Sequence, residues 1–215
     1  MQKKNFEEIS LTVLEKKDSI PYDDIVRILH DAHKSLVEKG MNFGASRQNA
    51  QDIENRLSDD GKFIIAKIGD QIVGVGAVNT CILNHKWYGK GRVAKYDLLG
   101  VASEYKGRGI SKIIDKKREE IGYSISDLII TDTSEHNDIV LDSYRRKGWI
   151  YVDYQSFVGT NYYSIVLARW KSGCPFTANK CRRILAIRKY VCKLCRRESG
   201  ELRGIFQIVK KMIKK

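Results

Sequence analysis

The segment VASEYKGRGISKII, residues 101–114, carries the side chains and spacing best suited to chemistry: an apolar strand end, a basic turn with two glycines, and then an amphipathic helix. Gly107 and Gly109 let the backbone take left-handed dihedrals and leave its N–H groups uncovered, while the helix that follows points its positive dipole end at the same place. Lys106 and Arg108 add full positive charge. A turn built in this way can cradle a pyrophosphate, although a plain strand-to-helix loop with surface charges has the same ingredients. It lacks the three-glycine spacing of a dinucleotide fingerprint and the Gly-Lys-Ser/Thr ending of a nucleoside-triphosphate loop.

A second run follows in order: an apolar strand over residues 127–133, then Asn137, Val140, Tyr144, Gly148 and Trp149. With the loop Lys106, Gly107, Arg108, Gly109, Ile110 and Ser111, this order resembles the GCN5-related N-acetyltransferase (GNAT) superfamily over about residues 20–170. The family's coenzyme A loop starts with Arg or Gln and ends in Gly or Ala, so Lys106 and Ser111 are departures that keep the charge and the small size. The resemblance implies a mixed α/β sheet flanked by helices. It also implies direct transfer of an acetyl group from acetyl-CoA to an amine, with no acyl-enzyme and no metal. Residues 106–111 would then hold the pyrophosphate. Leu99, Gly100 and Val101, on a strand that splays from its neighbour, would pair with the pantetheine arm, Gly100 fitting a bulge. Asn137 would bond the coenzyme or cap its helix, and Tyr144 would either donate to the leaving sulfur or pack beside Val140. As base for the acceptor ammonium, Asp97 ranks first, ahead of Asp132, Glu135, His136, His30 and His33.

The elements that must position these groups are readable from hydrophobic period and breakers. Residues 21–39 read as a helix with Pro21 at its start and Gly40 as its stop, 41–47 as a loop and 49–57 as a weaker helix. Residues 62–68 and 71–79 read as a hairpin about Gly69 and Asp70, followed by a strand over 92–101. The helix after the loop places Ile110, Ile113, Ile114 and Ile121 on its buried side, with Lys116, Lys117 and Glu120 outside. A helix over 137–147 and strands over 150–154 and 162–170 close the domain. The variable loop 84–91 holds Trp87 and Tyr88, which could stack on a sugar or base or sit in the core.

Charge divides the chain. Residues 171–215 hold 14 of the 39 Lys and Arg and only Glu198 and Glu201 as acids, so this end carries +12 of the formal net +13. Domains are therefore expected at 1–170 (catalytic) and 171–215 (basic helical extension), with a linker at 173–178 and helices over 181–197 and 205–212. Their apolar stripes would cover the main domain, a second copy in a homodimer, or an anionic membrane surface; with few aromatics in the tail, nucleic acid ranks lower. The first ten residues lack the apolar core of a signal peptide and no run is long enough to span a bilayer, so a cytoplasmic protein with reduced thiols is expected. Cys192 and Cys195 have CxxC spacing, but Cys174 and Cys181 are not closely paired, which makes zinc the lesser reading. The whole sequence also resembles acetyltransferases encoded with bacterial surface-polysaccharide enzymes, which implies an amino sugar, free or carrier-linked, as acceptor. The alternative is a non-catalytic coenzyme A-binding protein that acts through its tail.

Overall fold

A computed structural model describes residues 8–85, 89–157 and 160–197. Among them seven strands form one sheet in the order β1-β2-β3-β4-β5-β7-β6. The strands are β1 (Ile9–Glu15), β2 (Lys62–Ile68), β3 (Gln71–His85), β4 (Gly89–Val101), β5 (Leu128–Ser134), β6 (Ile150–Gln155) and β7 (Ser164–Trp170). Helices α1 (Tyr22–Glu38) and α2 (Ala50–Arg56) cover one face; α3 (Ile110–Ile125) and α4 (Asp138–Arg146) cover the other. Strand β2, KFIIAKI, is apolar throughout because it serves both faces: Phe63 and Ile65 pack under α1 and α2, Ile64 and Ala66 under α3. The mixed sheet agrees with the expected architecture, and the helix and strand boundaries fall within a few residues of those read from the sequence. Strand β1 was not foreseen, and β3 and β4 run on into what was read as the loop 84–91; Trp87 and Tyr88 lie outside the described residues.

Two local features decide where a ligand can enter. Strand β4 pairs in parallel with β5 at only Ala94↔Ile129 and Lys95↔Ile130, and then the two strands part. Beyond Tyr96, whose carbonyl accepts from Thr131 Oγ1 at 3.2 Å, the β5-facing edge of β4 has no strand partner as far as Val101, a row of backbone groups that an extended partner could join. On its other side the β3–β4 register slips between Ala77↔Asp97 and Val75↔Gly100. Leu98 sits in this bulge with φ +52°, the one non-glycine residue at positive φ among those described, a conformation that costs roughly 1–3 kcal/mol and is found where a site requires it. The bulge therefore lies at Leu98, two residues before Gly100. Gly100 pairs regularly with Val75 and serves a different need: a Cβ there would stand 3.2 Å from Ala32 Cβ and Leu29 Cδ2, so its absence lets α1 seat against β4.

Residues 171–177 form an irregular, mostly exposed connection, as expected of a linker, anchored at one point. Phe176 packs edge-on against Trp170, with ring centroids 6.0 Å apart. Helix α5 (Ala178–Arg197) then lies on β6, where Ile184 is buried, Arg188 grips Asp153 with Nη2–Oδ2 at 3.0 Å, and Lys189 covers the Tyr154 ring. The expected helix over 205–212 lies outside the described residues.

Candidate active site

The loop between β4 and α3 has the expected shape. Gly107 and Gly109 have φ of +81° and +83°, and Gly109 is the N-cap of α3. In a helix of this length the first-turn N–H groups have no intrahelical acceptor, so those near Ile110 and Ser111 face outward as donors. The Ile110 side chain packs into the core against β3, which fixes where the helix begins. The two loop cations differ in use. Lys106 Nζ donates to the Ala32 carbonyl of α1 at 2.9 Å, and Arg108 lies over the Tyr105 ring. With Ser103 N–H bonded to Asp31 Oδ2 at 2.5 Å, the loop is tied to α1 at two points.

At the other end of the open edge a cavity of about 600 Å³ passes through the sheet where β4 and β5 part. Its α3/α4 side is lined by Tyr96, Arg118, Thr131, Asn137, Val140 and Tyr144, and its α1/α2 side by Phe43, Gln48, Arg56, Asp97, Asp132 and Tyr162. Leu98 and Leu99 of the bulge border both.

Tyr144 is positioned by the end of its own helix. Gly148, at φ +81°, lets its N–H reach the Arg145 carbonyl at 3.0 Å and the Trp149 N–H reach Tyr144 at 3.1 Å, the two bonds of a Schellman cap. That cap turns Trp149 back onto the Tyr144 ring, centroids 5.0 Å apart. The Tyr144 hydroxyl stands in the field of the Arg118 guanidinium and beside Thr131, both of which favour its ionised form, but burial outweighs them and pushes its pKa up to about 12. Asn137 holds the N-cap position of α4, yet its side chain makes no cap bond; its Nδ2 donates to Thr133 Oγ1 at 3.2 Å and it lines the cavity. Of its two expected roles, the ligand-facing one fits this placement.

Asp97 also reaches the cavity, but in engaged form. Arg56 of α2 holds it with two bonds, Nε–Oδ2 at 2.9 Å and Nη2–Oδ1 at 2.6 Å, and also reaches Gln48. Lys95 lies 4.0 Å away and bonds Asp132 at 3.0 Å, completing an alternating row of charges. Burial alone would raise the Asp97 carboxyl, but Arg56 and Lys95 outweigh it and hold the group below the usual carboxylate range. A carboxylate so bound is a weak proton acceptor. His33, on α1, faces the Leu99 backbone and packs 4.6 Å from the Phe43 ring; burial pushes it down to about 4. His30 instead contacts the Gln48 carbonyl.

Sequence reasoning missed Arg118, Tyr96, Arg56 and Lys95. One signal was present for the first: Ile110, Ile114, Arg118 and Gly122 recur every four residues, so a charge stands on the buried stripe of α3. Ile113, assigned to that stripe, is partly exposed. Among the described residues no group of three or more His, Cys, Asp or Glu is placed to hold a metal; Cys174 and Cys181 contact each other, and the side chain of Cys195 lies outside the description.

The Acetyltransferase (GNAT) family model matches residues 25–149, more than half of the sequence, and the chain belongs to this family. No curated protein sequence matches it. Solved structures share its fold. A protein of Pyrococcus horikoshii OT3 is 22% identical, with a TM-score of 0.59 over 76% of this chain and 98% of the other. Arabidopsis thaliana NAA60 in complex with acetyl-CoA is 15% identical, with a TM-score of 0.54 over 77% and 100%. A GNAT-family acetyltransferase of Streptococcus agalactiae is 13% identical, with a TM-score of 0.58 over 75% and 95%. The chain is thus an acetyltransferase of the GNAT family, a class that uses acetyl-CoA. Among the described residues no helix is long and apolar enough to cross a membrane.

Proposed function

We propose that this chain transfers acetyl directly from acetyl-CoA to an acceptor amine across the opening between β4 and β5. The observation that carries this reading is the cavity that joins the Tyr144 side of the sheet to the Asp97 side at the end of an unpaired strand edge. The loop at the α3 N-terminus would take the pyrophosphate through backbone N–H groups near Gly107, Gly109, Ile110 and Ser111. The edge of Leu99, Gly100 and Val101 would take the pantetheine amides, and Asn137 would reach the same arm. Acetyl-CoA supplies the activated thioester: the amine lone pair forms the new C–N bond at the carbonyl carbon, the C–S bond breaks, and sulfur leaves with the electron pair. Tyr144 donates a hydrogen bond to that sulfur.

We assign Asp97 to holding Arg56 in the acceptor wall. The two cavity-lining bases with displaced proton affinity, Asp97 and His33, are both displaced downward, so the ammonium proton is assigned to water at the cavity mouth. On the acceptor side the aromatic wall of Phe43 and Tyr162, centroids 5.8 Å apart, together with Gln48, Asn55 and Thr160, suits a hydroxyl-rich amine such as an amino sugar. Thiol release should be measured with amino sugars, free and nucleotide-linked, beside peptides and polyamines. Turnover is expected with amino sugars. kcat/KM is expected to rise about tenfold per pH unit below the ammonium pKa, equally in the wild type and in Asp97→Asn. A plateau removed by Asp97→Asn would restore Asp97 as the base. Coenzyme binding with no amine-dependent thiol release would support the non-catalytic alternative.

A second reading concerns the basic end, 171–215. The face of α5 turned away from β6 presents Arg182, Arg183, Ile187 and Tyr190, the last two 57% and 66% exposed. A face that is both cationic and apolar, followed by more Lys and Arg, suits an anionic lipid surface better than further docking within the chain. The full chain is expected to co-sediment with anionic but not zwitterionic vesicles, and Ile187→Asp with Tyr190→Asp to weaken this at least about fivefold. Equal sedimentation of the variant would remove α5 from the contact, and preference for nucleic acid over anionic vesicles would favour that polyanion instead.

A further inference from the structure

Among the described residues Arg118 is the largest fully buried side chain, 1% exposed. An ionised guanidinium taken from water is costly unless its charge is matched, and a packed apolar residue of similar volume often serves a core as well or better. The match here is incomplete. Nη1 donates to Asp115 Oδ1 at 3.2 Å, the guanidinium lies 4.2 Å from the Tyr96 ring centre, and it shares the cavity wall with Tyr144, whose hydroxyl feels its charge. Asp115 is shared with Lys147 of α4 at 2.7 Å, so this one carboxylate answers two cations; Glu119 is the further charged group acting on the Tyr96 side. Arg118 Nε and the Tyr96 hydroxyl, both buried, have no hydrogen-bond partner among the described residues. Strand β3 makes room for this arrangement: a Cβ on Gly76 would stand 2.6 Å from Ile114 Cγ2 and 3.1 Å from Arg118 Cδ. A charged stem has been fitted where a leucine would have sufficed for packing, and it ends in the cavity wall beside Tyr144.

We propose that Arg118 is a positioning residue for acetyl transfer, holding the Tyr144 hydroxyl toward the leaving sulfur and keeping excess positive charge beside it as the thiolate forms. This rests on the acetyl-transfer reading above. In the step it serves, the C–S electron pair goes to sulfur, the C–N bond forms, the ammonium proton goes to water, and Tyr144 keeps its proton while donating a hydrogen bond. The function of such a residue can be read without an acceptor, from the ionisation of the coenzyme A thiol on the full-length protein. Thiolate absorbance would be followed against pH, with the desulfo-CoA complex subtracted to remove the protein's own cysteines.

In the wild type the bound thiol is expected to ionise about one pH unit below its value in free coenzyme A. Arg118→Met should return it to the free value while changing the Kd for coenzyme A less than about threefold, and Arg118→Lys should fall between, because a residue that merely packs would not move a thiol titration. An unchanged bound-thiol titration in Arg118→Met, or a wild-type thiol that ionises as free coenzyme A does, would overturn the proposal and leave the family's coenzyme binding intact. Absence of saturable coenzyme binding in the wild type would overturn both. Arg118→Gln carries the same test if the methionine variant does not fold, and failure of both to fold would make Arg118 a structural residue and refute the proposal.

Discussion

Tyr144→Phe is expected to lower kcat for acetyl transfer about 100-fold while leaving the KM for acetyl-CoA within about twofold, as for removal of one donor aimed at developing charge. The size follows from where the hydroxyl stands. It is buried beside Arg118 and Thr131, with a pKa pushed up to about 12 by burial, so it stays protonated throughout any working pH range. An alkyl thiol is a stronger acid than this buried phenol, so the phenol donates a hydrogen bond to the departing sulfur and keeps its proton. The sign for pH dependence follows: ionisation of Tyr144 should produce no loss of kcat below about pH 10. Phenylalanine keeps the ring that Trp149 grips through the α4 cap, so folding should survive and the loss should fall on kcat. Thiol release against acetyl-CoA concentration at saturating amine measures it. A kcat within threefold of wild type would mean that Tyr144 only packs.

Gly109→Val is expected to weaken acetyl-CoA binding at least tenfold. The residue caps α3 at φ +83°, where a β-branched side chain is strained by roughly 1–3 kcal/mol. Nothing lies within 4 Å of the position a Cβ would take, so the effect acts through the backbone and not through a clash. Relaxing φ toward negative values re-aims the N–H groups that make the anion site, and the ligand loses them together. Thermal unfolding with and without acetyl-CoA reads this: at one hundred times the wild-type Kd the ligand should add about 2.7 kcal/mol to the wild type and no more than about 1.4 kcal/mol to the variant. Equal gains would show that pyrophosphate anchoring does not depend on this conformation.

The loop was legible in advance because its physics is local. Two glycines at left-handed φ and a helix start are written in six consecutive residues, and the Gly148 cap that orients Tyr144 is likewise contained between residues 144 and 149. Helix α2 announces itself by the Asn49–Asp52 capping box, in which each side chain accepts a backbone N–H of the other. Strand β1 was missed because it is an edge strand between charged runs whose strand neighbour among the described residues is β2, some fifty residues on; its stability is a property of that pairing. The docking of α5 depends on the Arg188–Asp153 contact across 35 residues, and period alone left open what its apolar stripe would cover.

The same distinction separates what the sequence determined about function from what only the tertiary structure decided. Motif order and spacing determined the family and the candidacy of the 106–111 loop, Tyr144 and Asn137, since each rests on residues within a turn or two of one another. Which carboxylate is free to take a proton was decided by packing: Asp97 lies 41 residues from the Arg56 that engages both its oxygens, and a carboxylate's proton affinity is set by charges a few ångströms away in space, wherever they lie in the chain. The bulge was placed by register, which put it at Leu98 and left Gly100 to admit α1. Arg118 acquired its partners in the same way, since Tyr96 and Tyr144 reach it only when β4 and α4 close on α3, and its burial exists only in the folded sheet.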